Sequence, residues 1–206
     1  MRLAPEPYQR HKRVADVLLA ALLLVCSLPA LLALMLAIVL DSPGPPLFVQ
    51  SRVGWRGRRF RMLKLRTMVV GAAGQLPALR RRSGLRGPVF KLRDDPRVTR
   101  VGRLLRRASL DELPQLLNVL AGDMSLVGPR PLPPDQVDWA DPRFRRRTDV
   151  PPGLTGLWQI NGRAMHVAYD RWLAMDCEYV ERCSLGLDAA ILARTLGAVV
   201  RGEGAW

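Results

Sequence analysis

The sequence predicts an α+β chain, mainly α: an N-terminal re-entrant membrane helix, then a compact cytoplasmic domain with a small β-hairpin and interfacial amphipathic helices. Three observations predict it. Residues 17–40 form a run of 24 positions without a charge. Gly54-Trp55-Arg56-Gly57 separates two short, partly alternating segments, the pattern of a hairpin. Beyond residue 100, several helix candidates lie between Gly and Pro breakers. A length of 206 residues allows one modest domain after the membrane segment, giving units 1–41 and 42–206.

The apolar run comes first. As a straight helix of ~1.5 Å per residue it reaches ~36 Å, enough for a hydrocarbon core of ~30 Å. It is too long for a signal peptide and lacks a small-residue cleavage motif. Arg2, Arg10, Lys12 and Arg13 precede it, and Arg52, Arg56, Arg58 and Arg59 follow. Four cations on each side give a spanning helix no preferred orientation. A re-entrant hairpin keeps both flanks in the cytoplasm. Pro29 removes a backbone donor and frees the carbonyl of Val25. Ser27 is placed to satisfy a freed backbone group, and neither arm would be long enough to span. A proline-kinked spanning helix is the alternative.

The following elements read in order. Asp41-Ser42-Pro43-Gly44-Pro45-Pro46 is a breaker, and residues 48–53 and 60–67 are the hairpin strands. Residues 71–88 read as a mobile loop. Residues 101–107 are a short basic helix, and 113–120 an apolar helix ended by Gly122. Residues 129–134 are extended. A basic run at Arg143-Arg145-Arg146-Arg147 precedes the breaker Pro151-Pro152-Gly153, and residues 168–181 and 187–200 read as helices.

Charge narrows the function. Lys and Arg number 32 against 18 Asp and Glu, a formal +14. Residues 50–107 hold 18 of the cations and two acids, Asp94 and Asp95, so the whole excess lies there. Such a block attracts polyanions: nucleic acid, anionic membrane lipids or a phosphate-rich substrate. Aromatics are 6% of the chain, too few for a base-stacking surface. Two histidines, His11 and His166, remove most His-based triads and zinc sites. Cys26, Cys177 and Cys183 form no CxxC pair, which fits a reducing compartment. No Walker or GxGxxG motif occurs.

The chemistry centres on Ser109-Leu110-Asp111-Glu112-Leu113-Pro114-Gln115. Ser109 and Glu112 have capping-box spacing, so a purely structural role stands beside a catalytic one. Alternatively the acids precede a helix that Pro114 opens. A carboxylate attacks a phosphoryl group only where cations offset the repulsion between anions. Arg103, Arg106 and Arg107 precede the pair and Arg130 follows. The second carboxylate suits Mg²⁺, which accepts one or two carboxylates with phosphate oxygens. Anchor, cations and carboxylate pair together point to phosphoryl chemistry on a lipid.

With these residues the chain resembles the bacterial sugar transferases, the monotopic polyprenyl-phosphate phosphoglycosyl transferases. The matching runs are Lys12-Arg13-x-x-Asp16, Asp41 to Pro45, Gln50-x-Arg52-Val53-Gly54, Phe60 to Met68, Gly87 to Lys91, Asp95 to Thr99, Ser109 to Gln115, Asn118 to Pro131, Pro152 to Gln159 and Asn161-Gly162-Arg163. The resemblance implies that Asp111 attacks the sugar-bearing phosphate of a UDP-sugar, releasing UMP. Polyprenyl (undecaprenyl) phosphate then takes the phosphosugar. It implies Mg²⁺ on Glu112, with Lys64, Arg106 and Arg130 near the phosphates. It further implies an inner-membrane, cytoplasmic-face enzyme of exopolysaccharide, O-antigen or glycoconjugate assembly, in a short catalytic form. Nucleic acid is not an expected partner, and the oligomeric state, a homodimer included, is left open. A helix break at Ser27 and Pro29 is also implied, with Lys12 and Arg13 anchoring it. The family often has Ser directly before this Pro; here Leu28 stands there. Cys183 and Gly186 stand where the family often has larger residues. Two rival readings are a glycosyltransferase using Asp94 and Asp95 as a metal motif, and a membrane-tethered nucleic-acid-binding module.

Overall fold

The computed structural model describes residues 6–83, 92, 95–161 and 169–200. The runs at 87–91 and 162–163, and Asp94, lie outside the described residues. The first helix, α1 (Glu6–Asp41), is 36 residues long and continues through Pro29. Any redirection at Pro29 is thus a bend within one helix rather than a gap between two. Ser27 Oγ donates to the Leu24 carbonyl at 3.3 Å, one residue before the carbonyl that Pro29 frees.

One face of α1 is part of the core. Lys12, Asp16, Ala20, Leu31 and Ile38 are buried, at spacings built from threes and fours. The opposite face exposes Leu18, Leu22, Val25, Leu32, Leu36 and Leu40. Both ends of the helix hold the same domain. Near the start, Lys12 pairs with Asp188 at 2.8 Å, and Arg13 donates to the Leu120 carbonyl at 2.8 Å. At the far end Asp41 accepts from the Val101 amide at 3.0 Å, and Arg66 donates to Ser42 Oγ at 2.6 Å. Lys12 and Arg13 therefore bind protein groups.

The hairpin joins β1 (Leu47–Val53) and β2 (Arg59–Leu65), antiparallel, through a 3₁₀ turn at Trp55–Gly57. Phe48 faces Lys64, Gln50 faces Met62 and Arg52 faces Phe60, so these side chains share one side of the ribbon. Met62, 2% exposed, seats that side on the core. The second strand stops at Leu65, earlier than expected, because its partner strand begins at Leu47, after Pro45 and Pro46, which carry no amide N–H to pair. The Thr67 carbonyl meanwhile accepts from Thr99.

Of the loop expected at 71–88, residues 72–83 are helical, and 84–88 lie outside the described residues. Segment α2 (Ala72–Ser83) is helical over 12 residues with Pro77 inside. Its Ala, Leu, Gln and Arg content favours helix enough to outweigh Gly74 and Pro77. Asp95 and Arg97 form a buried ion pair of 2.6 Å, the local turn that its sequence suggests.

Helix α3 (Arg100–Arg107) starts where Thr99 Oγ1 accepts the Gly102 amide at 3.0 Å. Helix α4 (Gln115–Ala121) ends at Gly122 in the left-handed region, φ 89°. Then come β3 (Ser125–Val127), α5 (Pro142–Arg147) and β4 (Gly153–Thr155), the two strands pairing in parallel. Strands of three residues are too short to leave a period in sequence. Their approach is so close that a Cβ on Gly153 would lie 2.0 Å from the Gly128 amide nitrogen. Helices α6 (Leu157–Asn161), α7 (Tyr169–Arg182) and α8 (Leu185–Val200) complete the fold. The main core gathers Ala20, Met62, Leu116, Val119, Leu126, Tyr179 and Ile191 around α4 and β3.

Candidate active site

The carboxylate pair sits in a 3₁₀ turn, Leu110–Glu112, between α3 and α4. Ser109 opens it in the left-handed region, φ 55° and ψ 20°. For a residue with a Cβ that conformation costs about 1–3 kcal/mol. It turns the chain sharply, bringing both acids toward the hairpin. The capping box is not the arrangement found: the Glu112 carboxylate binds Lys64 and Arg130 instead. Pro114 directly precedes α4, as the second sequence reading has it.

Three elements supply the cations. Lys64, near the end of β2, donates to Glu112 Oε1 at 2.8 Å and lies 3.9 Å from Asp111 Oδ2. Arg130, just after β3, donates to the same Glu112 oxygen at 2.8 Å. Arg106, on α3, donates through Nε to Thr67 Oγ1 at 2.9 Å. Its charge acts on Asp111 without a direct ion pair. Helix α3 approaches Thr67 only because residue 102 is Gly; a Cβ there would stand 2.1 Å from the Thr67 carbonyl oxygen. Lys64, Arg130, Asp111 and Glu112 thus meet directly, with Arg106 beside Asp111. Lys12, Arg13, Ser27 and Pro29 lie apart on α1.

A second layer holds Arg130. Its guanidinium stands 5.9 Å from the Trp158 ring centroid, within cation–π range. Its main-chain carbonyl accepts from Arg147, which pairs with Asp176 at 2.6 Å. Those two side chains are 5% and 1% exposed. Sequence reasoning missed Arg147, Asp176 and Thr67. Arg147 showed only as part of a basic run, and no spacing links residues 130, 147 and 176.

The two acids have different surroundings. Burial pushes Asp111 above the ordinary carboxylate range; Lys64 pulls it down, and the Glu112 charge pushes it further up. Burial would also raise Glu112, but Arg130 and Lys64 together outweigh it and hold that carboxyl well below its ordinary value. Glu112 is a fixed anion balanced by two cations. Asp111 is the less neutralised carboxylate, with the higher proton affinity and the greater basicity. Environments that drive paired carboxyls apart are how one becomes the reacting group and the other a charge holder. Cations around a reactive carboxylate suit an anionic phosphoryl electrophile.

The family model of the bacterial sugar transferases matches residues 7–202. The chain belongs to that family. Among its curated relatives, the galactosyl transferase CpsE of Streptococcus agalactiae is 40% identical over 94% of this chain and 43% of its own length. A UDP-glucose:undecaprenyl-phosphate glucose-1-phosphate transferase of Caulobacter vibrioides is 44% identical, covering 95% of this chain and 72% of its own. The exopolysaccharide production protein ExoY of Sinorhizobium fredii is 40% identical over 95% and 88%. This sugar transferase chain spans less than half of CpsE and most of the other two.

Proposed function

We propose that this sugar transferase moves a phosphosugar from a UDP-sugar to polyprenyl (undecaprenyl) phosphate, releasing UMP, at the start of glycan assembly on a membrane. The observation that carries the reading is Asp111, partly buried and 3.9 Å from Lys64, beside a Glu112 held by two cations. The relative from Caulobacter vibrioides, a UDP-glucose:undecaprenyl-phosphate glucose-1-phosphate transferase, supports the substrate pair, and that from Komagataeibacter xylinus, an undecaprenyl-phosphate glucose phosphotransferase, supports the acceptor.

The reaction runs in two displacements at one phosphorus. An Asp111 oxygen attacks the phosphorus that bears the sugar. The bond from that phosphorus to the bridging oxygen breaks, and UMP leaves with the oxygen and its electron pair. The sugar phosphate is then an acyl phosphate on Asp111. A phosphate oxygen of polyprenyl phosphate attacks the same phosphorus and returns the carboxylate. Lys64, Arg106 and Arg130 neutralise first the diphosphate and then the lipid phosphate. Ser109 fixes the turn so that Asp111 is presented without reorganisation.

Glu112 is the residue that would hold Mg²⁺. Its Oε1 is engaged by Lys64 and Arg130, and its second oxygen is the donor that remains. One such carboxylate with substrate phosphate oxygens is a donor set Mg²⁺ accepts. Bound there, the metal would supply charge neutralisation at the phosphates.

The same proposal puts the outward apolar face of α1 in the hydrocarbon and the domain on the cytoplasmic face. Both ends of α1 bind one domain, which supports entry and exit on a single side. The anionic lipids of that leaflet then meet a strongly basic protein. The test is a panel of UDP-sugars with undecaprenyl phosphate, read as UMP release. One sugar should give rapid release, and no release from any UDP-sugar overturns the reading.

A further inference from the structure

Arg52 takes no part in the scheme above, yet it lies at the site. The hairpin register puts it on the same side of the ribbon as Gln50 and Lys64. Its Nη2 donates to Gln50 Oε1 at 2.6 Å and its Nη1 to the Pro131 carbonyl at 3.1 Å, next to Arg130. Neither acceptor is a carboxylate. Its Nε is buried with no acceptor among the described residues. Burial, and after it the Arg130 charge, pull the Arg52 guanidinium down to about 10. The Glu112 and Asp135 charges act on it in the opposite sense, but it has no ion-pair partner among the described residues. A partly buried guanidinium of this kind beside another is a group prepared for an incoming anion.

The row of charges has two ends. At one end Lys64 and Arg106 flank Asp111, close to Leu65 and Leu105, which pack on Leu31 and Ile38 of α1. Arg52 stands at the other, with Arg130 between them, bound to the same Glu112 oxygen as Lys64. Arg52 lies four positions along β1 from Phe48, which faces Lys64, about 13 Å at strand rise. Beyond it lies a small, largely apolar hollow of about 10 Å³ between Val53, Gly54, Pro129, Arg130, Val137 and Phe144. With the outward face of α1 in the hydrocarbon, as proposed above, a lipid-borne ligand would meet the α1 end first and a water-soluble nucleotide the other.

We propose that Arg52 and Arg130 form the seat for the nucleotide's own phosphate, which becomes the phosphate monoester of UMP when the diphosphate is cleaved. The inference rests on the transferase reading and adds a division of labour: Lys64 and Arg106 hold the transferred phosphoryl group, while Arg52 and Arg130 hold the departing one. A bidentate guanidinium suits this role, because a phosphate monoester presents paired oxygens to its fork.

The experiment uses the full chain in lipid nanodiscs, wild type against Arg52→Gln and Arg52→Lys. Arg52→Gln should weaken product inhibition by UMP, and raise KM for the UDP-sugar, by about 10-fold or more, the loss of charge-assisted hydrogen bonds. KM for polyprenyl phosphate should hold, and Arg52→Lys should recover part of the UMP inhibition. If Arg52→Gln folds poorly, wild-type protein answers the question through arginine-directed modification with butanedione, mapped by mass spectrometry. UMP should protect Arg52 and polyprenyl phosphate should not. Unchanged UMP inhibition with Arg52 unprotected overturns the seat, and so does protection by the lipid phosphate alone. Wild-type protein that releases no UMP at all overturns the transferase reading instead.

Discussion

Asp176→Asn changes one oxygen for an NH₂ group and leaves the packing of α7 on α5 in place. Asp176 is 1% exposed and 2.6 Å from Arg147. Burial outweighs the attraction of Arg147 and pushes its carboxyl up to about 6 from 3.8. A carboxyl with a higher pKa folded than unfolded binds its proton more tightly in the native state. Its contribution to stability is full below the unfolded value and is lost as pH rises through about 6. A difference of about two pH units corresponds to ~3 kcal/mol. The Asn variant does not titrate, so subtracting its stability from that of the wild type isolates this one group. Urea unfolding of the solubilised full chain from pH 4 to pH 8 measures both. Wild-type stability should fall by ~2 kcal/mol relative to the variant across that range, the remainder being lost already below pH 4, with most of the change below pH 6. A difference that stays flat, or that grows in favour of the wild type as pH rises, would refute the reasoning.

The acids of the site should respond in opposite directions. Glu112→Gln leaves Lys64 and Arg130 without their shared anion and should cost about 3 kcal/mol, since the pair is largely desolvated. Asp111→Asn should abolish turnover yet melt higher than wild type, because the ionised carboxylate is disfavoured by burial. Thermal unfolding checks both. Lys64→Met removes the first of the charges that lower Asp111, so the acid limb of kcat should move to higher pH, while Lys64→Arg keeps it in place. A limb that does not move contradicts Asp111 as the titrating nucleophile. Single cysteines at Glu6 and Ser51, with Cys26, Cys177 and Cys183 replaced, should both resist impermeant labelling of intact cells. Labelling of either indicates a spanning helix.

Much of this site was legible because its parts are local. Asp111 and Glu112 are adjacent, and the cations nearest them fall in recognisable runs. The hairpin announced itself through Gly54 and Gly57, and α7 and α8 lie within a few residues of their expected bounds. What the chain concealed depends on tertiary approach. The parallel pair β3 and β4 exists because Gly128 and Gly153 let two backbones touch. Arg147 and Asp176, 29 residues apart, hold Arg130 from two helices that only the fold brings together. The helical character of 72–83 was obscured by Gly74 and Pro77, local breakers that the surrounding residues override. Lys12 and Arg13 read as cationic flanks that anchor the membrane helix, and the sequence does not show that Asp188 and the end of α4 take their charge and hydrogen bonds.

The central claim is that Asp111 carries the phosphosugar covalently before the lipid accepts it. Exchange of labelled UMP into UDP-sugar, with enzyme and Mg²⁺ but no polyprenyl phosphate, tests it most directly. Wild-type protein should catalyse the exchange, because the first displacement is reversible and needs no acceptor. Asp111→Asn should show none. Full lipid-dependent turnover by wild-type protein with no exchange in the same preparation would contradict the covalent step and leave direct attack by the lipid phosphate in its place.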